Sequence, residues 1–235
     1  MQQYIIVILI IYFSLGLLIT SYLNLKNKSK AKERWIKLLF YFLILALVFF
    51  SIHIGQSQVL AIIISLIGLY EIIKVHLAIQ KPNAILLGIS LLYLFIVCGF
   101  LIFINKTSKE NLFFLFLIVV TFDGFSQLSG QLFGRRKLAP KISPNKTYEG
   151  LFGGMLFAIF SGLMLYPFIN LTLIETLAVI FIICLSSLVG DLLASWVKRI
   201  YQRKDYSNLI PGHGGVLDRF DSLIFSGATY WLIYL

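Results

Sequence analysis

The stretch 111–133, NLFFLFLIVVTFDGFSQLSGQLF, is 23 residues long and carries one charged side chain, that of Asp123. The hydrocarbon core of a membrane is about 30 Å thick and takes about 20 apolar residues per helix, so we predict a transmembrane helix here. An ionised carboxylate deep in a membrane is costly unless it faces a polar cavity or a base. Asp123 therefore marks this helix as one wall of a candidate site.

The same composition extends along the whole chain. Of its 235 residues, 59% are hydrophobic and 13% are charged, whereas a soluble domain has about 45–50% and about 25%. We predict an all-α, polytopic integral membrane protein with one domain, residues 1–235. Within it, 1–110 are helices with few motifs and 111–235 hold the helices and loops of the site. About eight transmembrane helices are predicted, at 4–23, 35–53, 58–75, 83–104, 111–133, 148–168, 173–197 and 216–235.

The net charge of +10 comes from bases in the loops between apolar runs. This placement is typical of membrane topology and of contacts with anionic lipid head groups, so we do not expect nucleic acid as a partner. With the N-terminus outside, eighteen Lys and Arg lie on the inner side and two, Lys106 and Lys109, on the outer side. We therefore predict a multi-pass membrane protein with both termini outside and its site facing the cytoplasm.

Four aspartates lie within predicted helices or at their ends, near one membrane face. They are Asp123, Asp191, Asp218 and Asp221. At helical spacing, Asp191 shares a face with Ser195 and Lys198, and Asp218 shares the first turn of the last helix with Asp221. Polar residues also serve as helix–helix contacts in membranes, but that alternative does not explain several aspartates and five bases on one face. Glu71 is nearer a helix end, and we assign it to the membrane interface.

Two loops adjoin these helices. In GRRKLAPKISPNKTYEGLFGG (134–154), two prolines predict an ordered turn, and Ser143 or Asn145 to Thr147 are candidates to cap the next helix. The glycines at 150, 153 and 154 would let that helix pack closely against a neighbour. In PGHGG (211–215), bare backbone amides can approach an anion, although an ordinary turn has the same composition.

Carboxylates, bases and glycine loops at one membrane surface fit one kind of chemistry. Carboxylates hold Mg²⁺, and the metal and bases neutralise a polyphosphate. The residues therefore indicate phosphoryl or nucleotidyl transfer to a membrane-embedded substrate. Ser-His-Asp hydrolysis is disfavoured because His213 is the only histidine in these loops. The alternative that is not an enzyme is an ion-coupled transporter with Asp123 and Asp191 in the ion path. Many transporters consist of two pseudo-repeated halves, and we see no such repeat in the sequence.

The segment 195–221 carries a longer pattern. It reads Ser195-x-x-Lys198-Arg199, four residues, Lys204-Asp205, then Pro211-x-His213-Gly214-Gly215-x-x-Asp218-Arg219-x-Asp221. This pattern resembles the signature of the phosphatidate cytidylyltransferase (CDP-diacylglycerol synthase) family. The segments 133–154 and Gly190-Asp191-Leu192 are also similar to that family, so the resemblance covers roughly residue 123 to the C-terminus.

The resemblance implies a nucleotidyltransferase that transfers the cytidylyl group of CTP to phosphatidate, giving CDP-diacylglycerol and pyrophosphate in phospholipid biosynthesis. It implies an all-helical fold in a bacterial-type cell (inner) membrane, with a polar cavity open to the cytoplasm and the bilayer, often as a homodimer. The implied cofactor is Mg²⁺. Whether a second, monovalent cation also takes part is left open. The alternatives are a CTP-dependent enzyme on another lipid phosphate or polyprenol, a lipid kinase, and the transporter.

The resemblance also implies residue roles. The implied metal ligands are Asp191, Asp218 and Asp221, which with Lys198 and Arg199 form the implied catalytic set. The implied substrate-binding residues are Asp123, Ser143, Lys146, Thr147, Ser195, Lys204, Asp205, His213, Gly214, Gly215 and Arg219. The chain departs from the family at Ala194, where Glu is usual, and at Ser126-Gln127, where Ala-Tyr is usual. We expect these departures to bear on the number of metal ions and on the lipid acceptor.

Overall fold

The computed structural model describes residues 1–26, 28–79, 83–210 and 214–234. This part of the chain forms eight long helices, a short hairpin and two single 3₁₀ turns. The helices are α1 (Gln2–Lys26), α2 (Ala31–His53), α3 (Ser57–Ile79), α4 (Asn83–Lys106), α5 (Lys109–Phe133), α6 (Tyr148–Leu165), α7 (Leu173–Ile200) and α8 (Leu217–Tyr234). The hairpin strands are β1 (Lys137–Ala139) and β2 (Ser143–Thr147), and the 3₁₀ turns are Lys28–Lys30 and Tyr166–Phe168.

The prediction of an all-α, polytopic membrane protein is confirmed. Within the described ranges, seven helices, α1 to α7, are long and apolar enough to cross a membrane. The eighth, α8, has 18 residues and begins with the charged side chains of Asp218, Arg219 and Asp221. About eight transmembrane helices were predicted. The eighth predicted one, 216–235, is a helix in the structure, but its charged first turn makes it too polar to count among the seven membrane-length apolar helices.

Helix α5 is the centre of the bundle. In its most apolar stretch of 18 residues 61% of the residues are buried, whereas the corresponding share is 17–44% in the other six membrane-length helices of the described chain. The run from Leu112 to Val119 is buried on every side, and α5 contacts α1, α2, α6, α7 and α8. This burial explains why the helix is apolar all round in its first half and polar on one face only in its second half.

Two close helix crossings position the site. Helix α6 lies against α5 so closely that a Cβ on Gly150 would come within 2.6 Å of the carbonyl oxygen of Ser126, which confirms the predicted role of the glycines. Helix α8 packs against α7 and α4. At the α7 contact a Cβ on Gly190 would lie 3.0 Å from the carbonyl oxygen of Asp221. Asp191 follows Gly190 directly in the chain. The second crossing therefore brings the start of α8 close to Asp191.

The hairpin between α5 and α6 is the ordered turn that the prolines predict, although its strands were not predicted. Its antiparallel register pairs Lys137 with Thr147 and Ala139 with Ser143. The Thr147 hydroxyl then caps α6 by accepting from the backbone N–H of Gly150 at 3.1 Å, as predicted. A two-stranded ribbon is marginal by itself, so this one depends on its contacts with α5 and α6.

Candidate active site

Lys146 on β2 lies at the centre of the site. Its Nζ is 2.5 Å from Oδ2 of Asp191 on α7, and it also interacts electrostatically with Asp123 on α5 and Asp221 on α8. Burial by itself would lower the pKa of Lys146, but the three carboxylates outweigh burial and raise that pKa. The ammonium therefore stays protonated at neutral pH. The hairpin places one positive charge among carboxylates from three helices.

Hydroxyl groups on α7 orient two of these carboxylates. The Ser187 hydroxyl donates to Oδ1 of Asp123 at 2.8 Å, and the Ser195 hydroxyl donates to Oδ1 of Asp191 at 3.3 Å. The second bond joins residues four apart on one helix, which is the spacing that placed them on one face in the sequence. Asp123 faces α7 and the polar site, as its position in a membrane helix predicts.

Asp221 has a buried oxygen that no donor among the described residues satisfies. Its Oδ1 accepts from the backbone N–H of Ser222 at 2.7 Å, while its Oδ2 is buried and meets no hydrogen-bond donor in the described part of the chain. Burying a charged oxygen without a donor costs several kcal/mol or more on the usual scales. The geometry therefore suits a carboxylate whose second oxygen serves a cation or a substrate.

Mg²⁺, the implied cofactor, fits this corner of the site. It prefers oxygen ligands and is usually held by one or two carboxylates together with substrate phosphates. Asp221 has a buried oxygen without a described donor, and the carboxylate of Asp191 on α7 interacts with it electrostatically, so the two side chains supply ligands of that type. Across the described ranges, no three His, Cys, Asp or Glu side chains are arranged to hold an ion by themselves. Substrate oxygens would therefore complete the coordination.

Asp218 is engaged on both oxygens. Its Oδ1 accepts from Nζ of Lys198 at 2.6 Å, and its Oδ2 accepts from the backbone N–H groups of Tyr206 at 2.9 Å and Gly215 at 2.8 Å. Asp218 is 7% exposed and Lys198 is 8% exposed. This carboxylate fastens the loop between α7 and α8. Its role as a metal ligand stays a prediction, and a metal would compete there with three donors.

The membrane depth of Glu71, which the sequence assigns to the interface, stays a prediction, but the structure shows a role that was not predicted. Glu71 on α3 is fully buried, and its carboxylate accepts from the Ser207 hydroxyl at 2.5 Å and from the backbone N–H groups of Val216 at 3.0 Å and Leu217 at 2.8 Å. It lies at the first turn of α8, where backbone N–H groups lack partners within the helix. The signal for it was in the sequence, since a carboxylate inside an apolar helix is as costly here as at Asp123.

Arg199 links the two loops of the site. Its Nε donates to the carbonyl oxygen of Ile142 in the hairpin turn at 3.2 Å, and its Nη1 donates to the carbonyl oxygen of Arg203 at 3.0 Å. Both acceptors are backbone groups, so the described contacts of Arg199 are structural ones. Its implied contact with a phosphate stays a prediction.

The remaining implied residues lie around the same loops. Lys204 and Arg219 are exposed, and Asp205 and Ser143 are half-buried. Gly214 has a φ of +87°, and a Cβ there would lie 3.0 Å from both Cβ of Asp205 and Oδ2 of Asp218, so glycine is required at this turn. His213 lies outside the described residues.

An apolar cavity lies beside the carboxylates, between α3, α4, α7 and α8. Its wall includes Ala194, Tyr206 and Asp221 together with aliphatic and aromatic side chains. The Tyr206 hydroxyl donates to the carbonyl oxygen of Ala194 at 3.2 Å. Since Ala194 shares this wall with Asp221, the departure from the family pattern at position 194 is located at the site itself.

Comparison with known proteins identifies the family of this chain. The model of the cytidylyltransferase family matches residues 1–235. A phosphatidate cytidylyltransferase of Staphylococcus epidermidis is 43% identical over 131 residues, covering 54% of this chain and 50% of that protein. The protein of the same name from Haemophilus influenzae is 45% identical over 118 residues, covering 48% of this chain and 41% of that protein. The chain thus spans about half the length of the curated relatives it matches.

Proposed function

The chain belongs to the cytidylyltransferase family, and we propose that it transfers the cytidylyl group of CTP to a membrane lipid phosphate. The observation that carries the proposal is the meeting of Asp123, Asp191 and Asp221 around Lys146, with Lys198 nearby on α7. Membrane helices that bring this many charges together serve a polar substrate, since the charges are too costly to serve as packing alone.

The chemistry needs positive charge more than it needs a base. An oxygen of the lipid phosphate attacks the α-phosphorus of CTP, and the bond from that phosphorus to the oxygen bridging to the β-phosphorus breaks. Pyrophosphate leaves with the electron pair. A phosphate monoester carries about −1.5 to −2 charges at pH 7, so the attacking oxygen is already deprotonated. The barrier is then mainly the approach of two anions and the charge that develops on pyrophosphate.

The basic residues of this chain are placed for that task. Lys146, which is protonated at neutral pH, lies where carboxylates and substrate phosphates would meet. Lys198 is held by Asp218 and lies 5.4 Å from the ring centroid of Tyr206, so its position is fixed before any substrate binds. Preorganised charge of this kind stabilises the transition state without rearrangement during the reaction.

We include Mg²⁺ in the proposal, held by Asp191 and Asp221. When bound, it would neutralise the triphosphate and stabilise the charge on the leaving pyrophosphate. Asp123 would add negative charge that keeps Lys146 and the cation in place. Whether a second, monovalent cation takes part stays a prediction.

Phosphatidate is the acceptor we propose, because the relatives named above are phosphatidate cytidylyltransferases. The apolar cavity beside Asp221 supports an acceptor with apolar chains, which another lipid phosphate or a polyprenyl phosphate would also satisfy. We further propose that the site faces the cytoplasm, because the bases of the predicted loops are concentrated on one side. A homodimer stays a prediction.

Labelled CTP tests the proposal directly. Purified protein in detergent micelles with phosphatidate should transfer label to lipid from CTP labelled at the α-phosphate and should transfer none from CTP labelled at the γ-phosphate. Label in lipid from the γ-phosphate would instead identify a lipid kinase. If folded protein transferred neither label to any of a panel of lipid phosphates, the enzymatic proposal would fail and the transporter would become the better account.

A further inference from the structure

Glu71 ties together both ends of the loop that connects α7 to α8. Its carboxylate accepts from the Ser207 hydroxyl, shortly after α7 ends, and from the backbone N–H groups of Val216 and Leu217, where α8 begins. These contacts cross 136 to 146 residues of sequence. A residue in the N-terminal half therefore reaches the segment that carries the signature pattern.

The charge of Glu71 suits this position. A fully buried carboxylate is costly unless hydrogen bonds satisfy it, and three donors do so here. The first turn of a helix offers unpaired N–H groups and a partial positive charge, so a carboxylate is stabilised at that end. Hydrogen bonds with one charged partner are stronger than those between neutral groups.

Glu71 and Asp218 hold one loop from two sides. Asp218 binds the N–H groups of Tyr206 and Gly215, which are the immediate neighbours of Ser207 and Val216, the donors to Glu71. Gly215 is pressed against Glu71, because a Cβ at that position would come within 2.6 Å of Oε1. The two carboxylates thus hold the described residues at both ends of the loop, and Asp218 also binds the ammonium of Lys198.

We propose that Glu71 is a positioning residue for nucleotide binding. It touches no substrate itself. It fixes Ser207 at one end of the loop and Val216 and Leu217 at the other, so that the first turn of α8 is in place when the triphosphate binds. This inference rests on the proposed function, because the nucleotide is the ligand whose binding it affects. It extends the site to a helix on which the sequence shows no motif.

Glu71→Gln tests the inference, because Gln keeps the shape but turns an NH₂ group towards backbone donors. We expect kcat/KM for CTP to fall about tenfold or more, as small displacements near a reacting centre do, while KM for phosphatidate stays within about twofold. Amide hydrogen exchange over 207–217 should become faster in the folded variant. Ser207→Ala, which removes one donor and leaves the charge, should shift the same quantities in the same direction by a smaller factor.

Glu175→Gln is the matched control. Glu175 also caps a helix, accepting from the N–H and hydroxyl of Thr172 at 2.8 Å each. It lies at the far end of α7, about 24 Å along the helix from Asp191 at 1.5 Å per residue. This variant should leave kcat/KM for CTP and hydrogen exchange over 207–217 unchanged.

Failure of the inference differs from failure of the proposed function. If the wild-type protein forms CDP-lipid and folded Glu71→Gln keeps kcat/KM for CTP within twofold, Glu71 does not position the site. If Glu71→Gln impaired the kinetics for CTP and for phosphatidate equally, Glu71 would contribute only to general stability, and the inference would also be overturned. If Glu71→Gln does not fold, Ser207→Ala decides by the same criteria. Wild-type protein that forms no CDP-lipid defeats the proposed function, whatever the exchange data show.

Discussion

Replacing Asp218 with Asn should destabilise the protein strongly. The change keeps the side-chain shape but removes the negative charge that faces the Lys198 ammonium at 2.6 Å. Lys198 is 8% exposed, so its charge would be left buried without its counter-ion. Removing one partner of a buried ion pair costs about 3–5 kcal/mol, and we expect the free energy of unfolding to fall by that amount.

Unfolding in mixed micelles, driven by SDS and followed by tryptophan fluorescence, would measure this loss. The double variant Asp218→Asn/Lys198→Met removes the unpaired charge and should recover at least half of the lost stability, because apolar replacement of a whole buried pair is often near neutral. Asp205→Asn, in the same loop but half-buried, is the control and should stay within about 1 kcal/mol of wild type.

Stability is the informative readout here, because a metal ligand and a loop-fastening residue would both lose activity when changed to Asn. Suppose that the free energy of unfolding of Asp218→Asn lies within about 1 kcal/mol of the wild-type value while CDP-lipid formation is abolished. The carboxylate then does not fasten the loop. Its oxygens would then be free for the metal that the family resemblance assigns to them. That result would refute our account of the α7–α8 loop.

Three further variants test other parts of the site. Lys146→Ala should lower kcat/KM for CTP or phosphatidate by about 10²-fold or more, as loss of a charge-stabilising group does. Lys141 is exposed in the same hairpin, and Lys141→Ala should leave kcat/KM unchanged. If the two variants had the same kcat/KM, Lys146 would have only a structural role. Asp221→Asn should fold normally but lose Mg²⁺-dependent activity and Mg²⁺-dependent protection against thermal unfolding, and an unaltered Mg²⁺ titration would remove Asp221 from the metal site. Gly215→Ala should press on Glu71, at 2.6 Å from Oε1, and speed hydrogen exchange in the loop; wild-type exchange rates there would contradict the close contact.

The helices could be predicted from the sequence because each depends on a local property. A run of about 20 apolar residues predicts a membrane helix regardless of its neighbours, and the predicted 111–133 is α5 at Lys109–Phe133. The cap at Thr147 and the Asp191–Ser195 pair could also be predicted, because helix starts and four-residue spacing are local patterns.

The contacts that cross the chain could not be predicted in the same way. Nothing near Glu71 in the sequence indicates that its partners are Ser207 and Val216, because only the packing of α3 beside α8 brings them together. The hairpin strands were missed since β2 has five residues and one of them, Pro144, cannot donate a ladder hydrogen bond. That Asp218 is saturated while Asp221 keeps a free oxygen also depends on loop geometry, which spacing does not encode.

The most direct test of the central claim is the stoichiometry of the reaction of the purified protein with CTP, Mg²⁺ and phosphatidate. Pyrophosphate and CDP-lipid should appear in a ratio of one to one, and pyrophosphate release should stop when phosphatidate is left out. Pyrophosphate or phosphate released at the same rate without a lipid acceptor, or lipid labelled in the absence of pyrophosphate release, would contradict cytidylyl transfer at this site.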